Sequence, residues 1–279
     1  MEAATCHHRA MGERFLGIDF SGGAAPWKLR CARPTVWIAT VEDDAVRDLR
    51  PVQALGGEGA PFDRLVALLG TGDFRAASID APCALPARHM PAGGHAALLK
   101  AVGAMPAADD RPFPRGADLV TLAQRVAPLE RSKPMRQTEA AWSSRGVNVR
   151  STLWNGARGG APFAAASLTL LARVGRPVWP WSSAAGMIVE AFPAGQLRAW
   201  SLPHTKYAGT EDGAARERII AALRRRLSIP APFRRLMQDC PDALDAVLAS
   251  FGARAAAAGR LAEPLPDSWQ AEGAIAVHD

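Results

Sequence analysis

Residues 15–23 read Phe-Leu-Gly-Ile-Asp-Phe-Ser-Gly-Gly, an apolar run that ends in a single aspartate and a glycine turn. A short apolar run bounded by a turn signal predicts a buried β-strand, here with Asp19 at its end. A carboxylate in that position is costly unless it is hydrogen-bonded, protonated or bound to a cation. The stretch therefore predicts both the first strand of a sheet and a candidate functional residue.

Apolar and β-branched runs predict four more strands and one early helix. The predicted strands are 35–41, about 48–55, 74–79 and 187–192. Apolar residues at helical spacing predict a helix at 61–69, after a Gly- and Pro-containing turn. Strand, hairpin, helix and strand form the opening of a mixed sheet with helices packed against it, so the predicted class is α/β.

The remaining parts of the chain are a long segment between the fourth and fifth predicted strands and the residues after the fifth strand. The segment at about 86–185 is rich in Pro and Gly, with periodic stretches at 119–126 and 164–174, and it predicts an elaborated insertion between the fourth and fifth strands. Two helices are predicted after the fifth strand, a basic amphipathic one at 214–227 and a long one from Asp242 to about Leu261. We expect residues 1–10 to be a tail and residues 11–279 to form one domain.

Composition excludes several classes of protein. No apolar run approaches the ~20 residues that cross a bilayer, and the start of the chain does not resemble a secretion signal, so a cytoplasmic protein is expected. The four cysteines are scattered without a CxxC pair, which disfavours a zinc site or a disulfide scaffold. The net charge of +6 is compatible with a phosphate-rich partner, but the excess of Arg over Lys and the abundant Ala also suit a GC-rich coding sequence.

Acidic residues recur at the ends of predicted strands and at the start of the last helix. Asp80 and Glu190 end apolar strands, as Asp19 does, and Asp242 and Asp245 project from nearly the same helix face. Carboxylates that converge repel one another unless a cation neutralises them, and hard oxygen ligands suit Mg²⁺ or Mn²⁺. Each acid also has a structural alternative: Asp80 can cap a turn, and Asp242 can be a helix N-cap.

The order of these acids resembles that of the RNase H-like nucleases, and the whole pattern more closely resembles the family of domains of unknown function 429 (DUF429). The matching stretches are Gly17-Ile18-Asp19 with Trp27, Ile79-Asp80-Ala81-Pro82, Arg136-Gln137-Thr138-Glu139, Val189-Glu190-Ala191-Phe192-Pro193, His204-Thr205-Lys206-Tyr207 and Asp242-Ala243-Leu244-Asp245-Ala246. The resemblance covers roughly residues 15–262. It implies an RNase H-like mixed sheet flanked by helices and the activity of a predicted nuclease.

On this basis we interpret the protein as a metal-dependent phosphodiester hydrolase. The candidate catalytic residues are Asp19, Asp80, Glu190 and Asp245. The candidate ligands for Mg²⁺ or Mn²⁺ are Asp19, Asp80, Asp242 and Asp245, with Asp19 bridging two ions. Candidates to hold substrate phosphates are Arg136, Lys206 and Arg216. Nucleic acid is a candidate partner, and the choice among DNA, RNA, a nucleotide and a smaller substrate stays open.

Two alternatives remain at this point. Actin-like ATPases and sugar kinases also begin with a strand, an Asp and a phosphate-binding glycine turn, although they need a second copy of the domain that this sequence does not display. The second alternative is a protein without catalytic activity that binds nucleic acid or a partner through its Arg- and Trp-rich segment. Its candidate base-stacking residues are Trp142, Trp154, Trp179 and Trp181.

Overall fold

The protein is built around one mixed five-stranded sheet. The computed structural model describes residues 13–130 and 133–279, so the predicted tail at residues 1–10 lies outside it. The strands are β1 (Arg14–Asp19), β2 (Trp37–Glu42), β3 (Ala45–Pro51), β4 (Ala76–Ile79) and β5 (Met187–Glu190). Their order is β3-β2-β1-β4-β5, with β1, β4 and β5 parallel and with β2 antiparallel to both β1 and β3. The predicted α/β class is confirmed.

Ten α-helices accompany this sheet in the described residues. They are α1 (Pro61–Gly70), α2 (Gly94–Gly103), α3 (Gly116–Val126), α4 (Gln137–Ser144), α5 (Ala161–Val174), α6 (Pro193–Ala199), α7 (Gly213–Leu223), α8 (Ala231–Asp239), α9 (Pro241–Ala258) and α10 (Trp269–Glu272). Over this same part of the chain, no helix combines the length and the apolar character needed to span a membrane.

Strand β1 supplies both faces of the core because successive side chains of a strand point to opposite sides of the sheet. Leu16 and Ile18 pack into the cluster that contains residues of α1 and α5. Phe15 belongs to the opposite cluster, where α9 covers the sheet. Asp19 shares its parity with Phe15 and Gly17, so the strand directs the aspartate toward the side on which α9 lies.

Helix α9 approaches β1 so closely that residue 17 has no room for a side chain. A Cβ atom there would overlap the carbonyl oxygen of Ala246 and the backbone of Ser250, both on α9. Because these are backbone atoms in the middle of a helix, no side-chain rotation relieves the overlap. Gly17 therefore sets the distance between the sheet and the helix that carries Asp242 and Asp245.

We expect Gly17→Ala to lower the free energy of unfolding by about 1–3 kcal/mol, since overpacking a filled core forces the backbone to shift. Gly56→Ala is the matched control, because a Cβ atom at that exposed position meets nothing within 4 Å. Denaturant unfolding of both variants measures the difference. Equal stability of the two variants would contradict the close approach of α9 to β1.

The β2–β3 hairpin is tighter than its sequence suggests. Strand β3 was expected at about 48–55, yet it begins at Ala45 directly after a two-residue turn and ends at Pro51. Asp43 and Asp44 form that turn with φ angles of 49° and 55°. A two-residue hairpin turn of type I′ has positive φ at both central positions, and Asp adopts such φ values less readily than the Asn-Gly pair that signals these turns. This turn lies at the edge of the sheet opposite the end of β1, because Glu42 pairs with Arg14 and Trp37 pairs with Asp19.

The segment at about 86–185, predicted as an insertion, contains α2, α3, α4 and α5. Leu98, Leu119 and Leu168, from three of these helices, are fully or almost fully buried in the same apolar cluster as Leu16 of β1. The segment is therefore continuous with the core on that face of the sheet.

Candidate functional site

A cavity of about 410 Å³ opens at the carboxyl ends of the parallel strands. Ligand sites in open α/β sheets lie beyond the carboxyl ends of the strands, as this cavity does. Its lining includes six carboxyl groups and two guanidinium groups: Asp19, Asp80, Glu139, Glu190, Asp242 and Asp245, with Arg136 and Arg150. If all are ionised, carboxylates exceed guanidinium groups by four. All five acids predicted from the sequence therefore meet in one place.

Two of these acids are held by neighbouring parallel strands. Asp19 is the last residue of β1 and is almost fully buried. Asp80 directly follows β4, and its amide donates a hydrogen bond of 2.9 Å to the carbonyl of Ile18. This bond continues the β1–β4 pairing by one residue beyond the strands and fixes the two aspartates side by side at the sheet edge.

Helix α9 brings the other two aspartates to the same edge. The helix begins at Pro241, and its N-cap residue is Cys240, which makes no capping side-chain hydrogen bond. Asp242 is thus the second residue of the helix, and the alternative that it serves as the N-cap is not borne out. Both Asp242 and Asp245 lie near the helix N-terminus, where the positive end of the helix dipole favours negative charge.

Burial and mutual repulsion make these carboxyl groups weaker acids than usual. Burial raises the pKa of Asp19 well above its ordinary value, and the charges of Asp245, Asp80 and Asp242 raise it further. Burial likewise raises the pKa of Asp80 to about 7, although Arg150 opposes the shift, and it raises that of Asp242 to about 6. Asp245 is raised well above its ordinary value by burial and by Asp80. Ionising all four groups together without a cation therefore costs free energy.

Burial of these carboxyl groups predicts an unusual pH dependence for the stability of the metal-free protein. A carboxyl group whose pKa is raised by folding favours the folded state below its unfolded pKa of about 4. That contribution is lost as the pH rises through the folded-state values of about 6 and 7 for Asp242 and Asp80. We expect Asp80→Asn to remove about 2 kcal/mol of this pH dependence between pH 5 and pH 8, after allowance for the partial exposure of Asp80.

Denaturant unfolding in EDTA at pH 5 and pH 8, on wild type and Asp80→Asn, measures the effect. The difference in unfolding free energy between the two pH values should be smaller in the variant. Identical pH dependence in both proteins would show that the Asp80 carboxyl is not perturbed by folding.

Glu190 is held by an internal ion-pair network. Its carboxylate accepts hydrogen bonds from both terminal nitrogens of Arg136, one of them 2.7 Å long, and one of 2.8 Å from the Cys83 amide. The Nε of the same arginine donates to Glu139 over 3.0 Å, and the Thr152 hydroxyl also donates to Glu139. Burial raises the pKa of Glu190, and Arg136 opposes that shift. One buried guanidinium thus ties α4 to the end of β5.

Tyr207, to which the sequence interpretation gave no role, contacts the site directly. Its hydroxyl donates a hydrogen bond of 3.0 Å to Asp245 Oδ1. The backbone that carries this tyrosine is held by Arg216, whose Nη1 donates to the carbonyls of Tyr207 and Gly209 over 2.6 and 2.7 Å and whose Nε donates to Gln238 over 2.7 Å. Arg216 therefore supports the position of Tyr207, and through it the orientation of Asp245.

The predicted phosphate-binding residues are dispersed. Arg136 reaches the cavity but is buried between two glutamates, Arg216 binds backbone carbonyls, and Lys206 is exposed outside the cavity lining. Arg150, which the sequence interpretation missed, is the exposed guanidinium of the lining, 4.7 Å from the ring centroid of Phe163. No periodic pattern surrounds Arg150, so only its place shortly before the glycine-rich start of α5 could have drawn attention to it.

The aspartate oxygens of the cavity are suitable ligands for a hard divalent cation, but their present positions do not form a complete binding site. Aspartate oxygens are the ligands that Mg²⁺ and Mn²⁺ prefer, and a cation would relieve the repulsion that raises the pKa of Asp19. Across residues 13–130 and 133–279, however, no three His, Cys, Asp or Glu side chains are arranged to hold a metal ion together. Binding would therefore require the aspartate side chains to turn within the cavity.

The tryptophans considered for base stacking are buried or are engaged by contacts within the fold. Trp142 and Trp179 are buried. Trp181 stacks on His95 with ring centroids 3.9 Å apart, and its indole nitrogen donates to the Gln270 carbonyl. Trp154 is half-buried and donates to the Ala157 carbonyl. This arrangement weakens the alternative of a binding protein that stacks nucleic-acid bases on these rings.

Comparison with known proteins identifies one family. Its model, described as "Protein of unknown function (DUF429)", matches residues 17–270, a range that contains every acid of the cavity. No curated protein and no solved structure matches the chain significantly. Since the family match covers most of the 279 residues, the chain belongs to the DUF429 family.

Proposed function

We propose that this protein is a metal-dependent phosphodiester hydrolase whose cavity carboxylates hold Mg²⁺ or Mn²⁺. The observation that carries the proposal is the excess of four carboxylates over guanidinium groups in one half-enclosed cavity. Two divalent cations supply a charge of +4, which balances that excess. Such pairs of ions stabilise the charge that develops on a phosphate during in-line displacement.

The proposed fold is RNase H-like. In support, β1 is central in the strand order β3-β2-β1-β4-β5. The candidate acids lie at the carboxyl ends of β1, β4 and β5, and the first turn of α9 reaches the same edge of the sheet. The described residues form one five-stranded sheet. The actin-like phosphotransferase alternative requires a second copy of the domain and is therefore disfavoured.

The chain's own residues have distinct proposed roles. Asp19, Asp80, Asp242 and Asp245 would hold the cations, because they share the cavity and because burial there, which raises the pKa of each, makes their ionised forms costly without a positive charge. Glu190 is already bound by Arg136 and is better suited to accept a proton or orient a water molecule at the cavity wall. Tyr207 donates a hydrogen bond to Asp245 and so supports one of these four carboxyl groups.

Arg150 is the residue we propose to contact the substrate phosphate, in place of Lys206 and Arg216. Its guanidinium lies at the cavity and lowers the pKa of Asp80, so it faces the acids while remaining exposed. A guanidinium can donate two hydrogen bonds to one phosphate. The cavity volume is at the small end of the ~300–1,000 Å³ range of ligand pockets, which favours a strand end, a flipped nucleotide or a small phosphodiester over an intact duplex.

The proposal is tested with the wild-type protein and a panel of phosphodiesters. We expect hydrolysis of bis(p-nitrophenyl) phosphate, or of single-stranded or structured DNA or RNA, that requires Mg²⁺ or Mn²⁺ and stops with EDTA. Crystals soaked in Mn²⁺ should show anomalous density beside Asp19. Mg²⁺-dependent hydrolysis of ATP or phosphoryl transfer from ATP, without any phosphodiester hydrolysis, would favour the phosphotransferase alternative. An acidic cavity without manganese would refute the proposed metal site.

A further inference from the structure

A second concavity, of about 470 Å³, lies at the edge of the sheet opposite the candidate active site. Four arginines line it: Arg224, Arg225, Arg226 and Arg234. We call it the arginine pocket. It lies beside the β2–β3 turn, where Glu42 pairs with Arg14 at the start of β1. Arg14 and Asp19 are five residue steps apart along β1, so at ~3.3 Å a step this edge lies about 17 Å from Asp19.

The arginine pocket lacks the counter-charge that its arginines require. Residues 224–235 contain five arginines and no acid. Asp44 is the one acid that lines the pocket, and its carboxylate is paired with Arg254. Among the residues that the structure describes, none of the four lining arginines forms an ion pair with a carboxylate. Their positive charge is thus not balanced by a carboxylate of the described residues.

The walls of the pocket are fixed by backbone hydrogen bonds. The amide of Ser228 donates to the carbonyl of Asp44 over 2.7 Å, and the amide of Val46 donates to the carbonyl of Ser228 over 2.9 Å. These bonds attach the segment between α7 and α8 to the hairpin turn. The guanidinium of Arg226 lies 4.1 Å from the ring centroid of Trp200, which limits its freedom. The backbone that carries three of the arginines is therefore fixed against the hairpin turn, and one of their side chains is held by an aromatic ring.

We propose that the arginine pocket binds a compact polyanion that carries several phosphate groups close together, such as a polyphosphate chain or a nucleoside polyphosphate. Four arginines that line one concavity without a carboxylate partner are best neutralised by several oxyanions within a short distance. Planar guanidinium groups match phosphate oxygens in pairs. A peptide with one or two carboxylates would leave most of these donors unmatched. The site is separate from the acidic cavity, which would repel such a ligand in the absence of metal.

The test uses inorganic tripolyphosphate as the probe, in EDTA, with isothermal titration calorimetry on the full chain. The pocket variant is Arg225→Ala/Arg234→Ala. The matched control is Lys100→Ala/Arg125→Ala, which removes the same charge from exposed positions on α2 and α3. We expect saturable binding by wild type and control and at least tenfold weaker binding by the pocket variant. Melting curves confirm that each variant is folded.

Two further arms identify the source of the phosphate. ATP in EDTA tests a nucleoside polyphosphate, and a 20-nucleotide oligodeoxythymidine tests a phosphodiester backbone. Binding of either compact ligand that depends on Arg225 and Arg234 supports the proposal. Dependence on these arginines for the oligonucleotide alone would overturn it in favour of nucleic-acid binding. Equal binding of the compact ligands by the pocket variant and the control, or no binding of either compact ligand by the wild type, would also overturn it.

Discussion

Replacing Asp19 with asparagine should reduce metal-dependent hydrolysis by about a thousandfold, because a bound cation contributes several kcal/mol to transition-state stabilisation. The substitution keeps the shape of the side chain and removes the carboxylate on which Asp245, Asp80 and Asp242 all act. Initial rates with saturating Mn²⁺ measure the loss. The control is Asp109→Asn, at an exposed turn between α2 and α3, which should retain wild-type activity.

The thermal stability of the same variant, with and without Mn²⁺, distinguishes a metal ligand from a structural residue. Without metal, Asp19→Asn should melt at a higher temperature than the wild type, because it removes a buried charge that repels its neighbours. With Mn²⁺ present, the wild type should gain thermal stability and the variant should gain much less. If the variant is less stable without metal and still gains stability with Mn²⁺, Asp19 is a structural residue and the proposed metal site is wrong.

Replacing Arg136 with methionine should destabilise the fold by about 3–5 kcal/mol, since it leaves two buried glutamates without their shared cation. Glu139 is 1% exposed and Glu190 is 3% exposed, so solvent compensates only weakly for loss of the guanidinium. For a chain of this size the loss corresponds to a fall of about 10 °C in Tm. Thermal and denaturant unfolding at pH 7 measure the effect.

Two further variants show whether unpaired charge is the cause. Arg88→Met removes a cation from the solvent-exposed pair with Glu130 and should change stability little. Adding Glu139→Gln and Glu190→Gln to Arg136→Met should recover part of the loss, because both buried charges then disappear. If Arg136→Met melts like Arg88→Met, the buried network does not contribute to stability as proposed.

The acids of the site could be predicted from the sequence because each lies at the end of an apolar strand pattern or at the start of an apolar helix pattern. Asp19 and Asp80 follow apolar strands, and Asp242 and Asp245 begin a long apolar helix. Neighbouring parallel strands carry their ends to one edge of a sheet, so local patterns alone place such residues together. The outer bounds of the strands were less predictable, as the early start of β3 after Asp43 and Asp44 shows.

The basic residues were harder to predict because their partners are distant in sequence. Arg136 and Glu190 are 54 residues apart, and no period in the chain connects them. Arg216 lies in a helix that appears basic and solvent-facing, yet its side chain turns inward to backbone carbonyls. The sequence around a charged residue does not indicate whether its partner is a substrate, another side chain or a backbone carbonyl. Only tertiary structure separates these possibilities for Arg136, Arg150 and Arg216.

The buried arginine shared by α4 and β5 should constrain how the sequences of these two elements vary among relatives. Since Arg136 serves both Glu139 and Glu190, a lineage that loses the arginine alone keeps two unpaired buried charges. The three positions should therefore change together among relatives of this chain, and a chimera that takes α4 from one relative and β5 from another should fold only when the set is intact. The shared ion pair thus couples the sequence of α4 to that of β5, although the two elements are far apart in the chain.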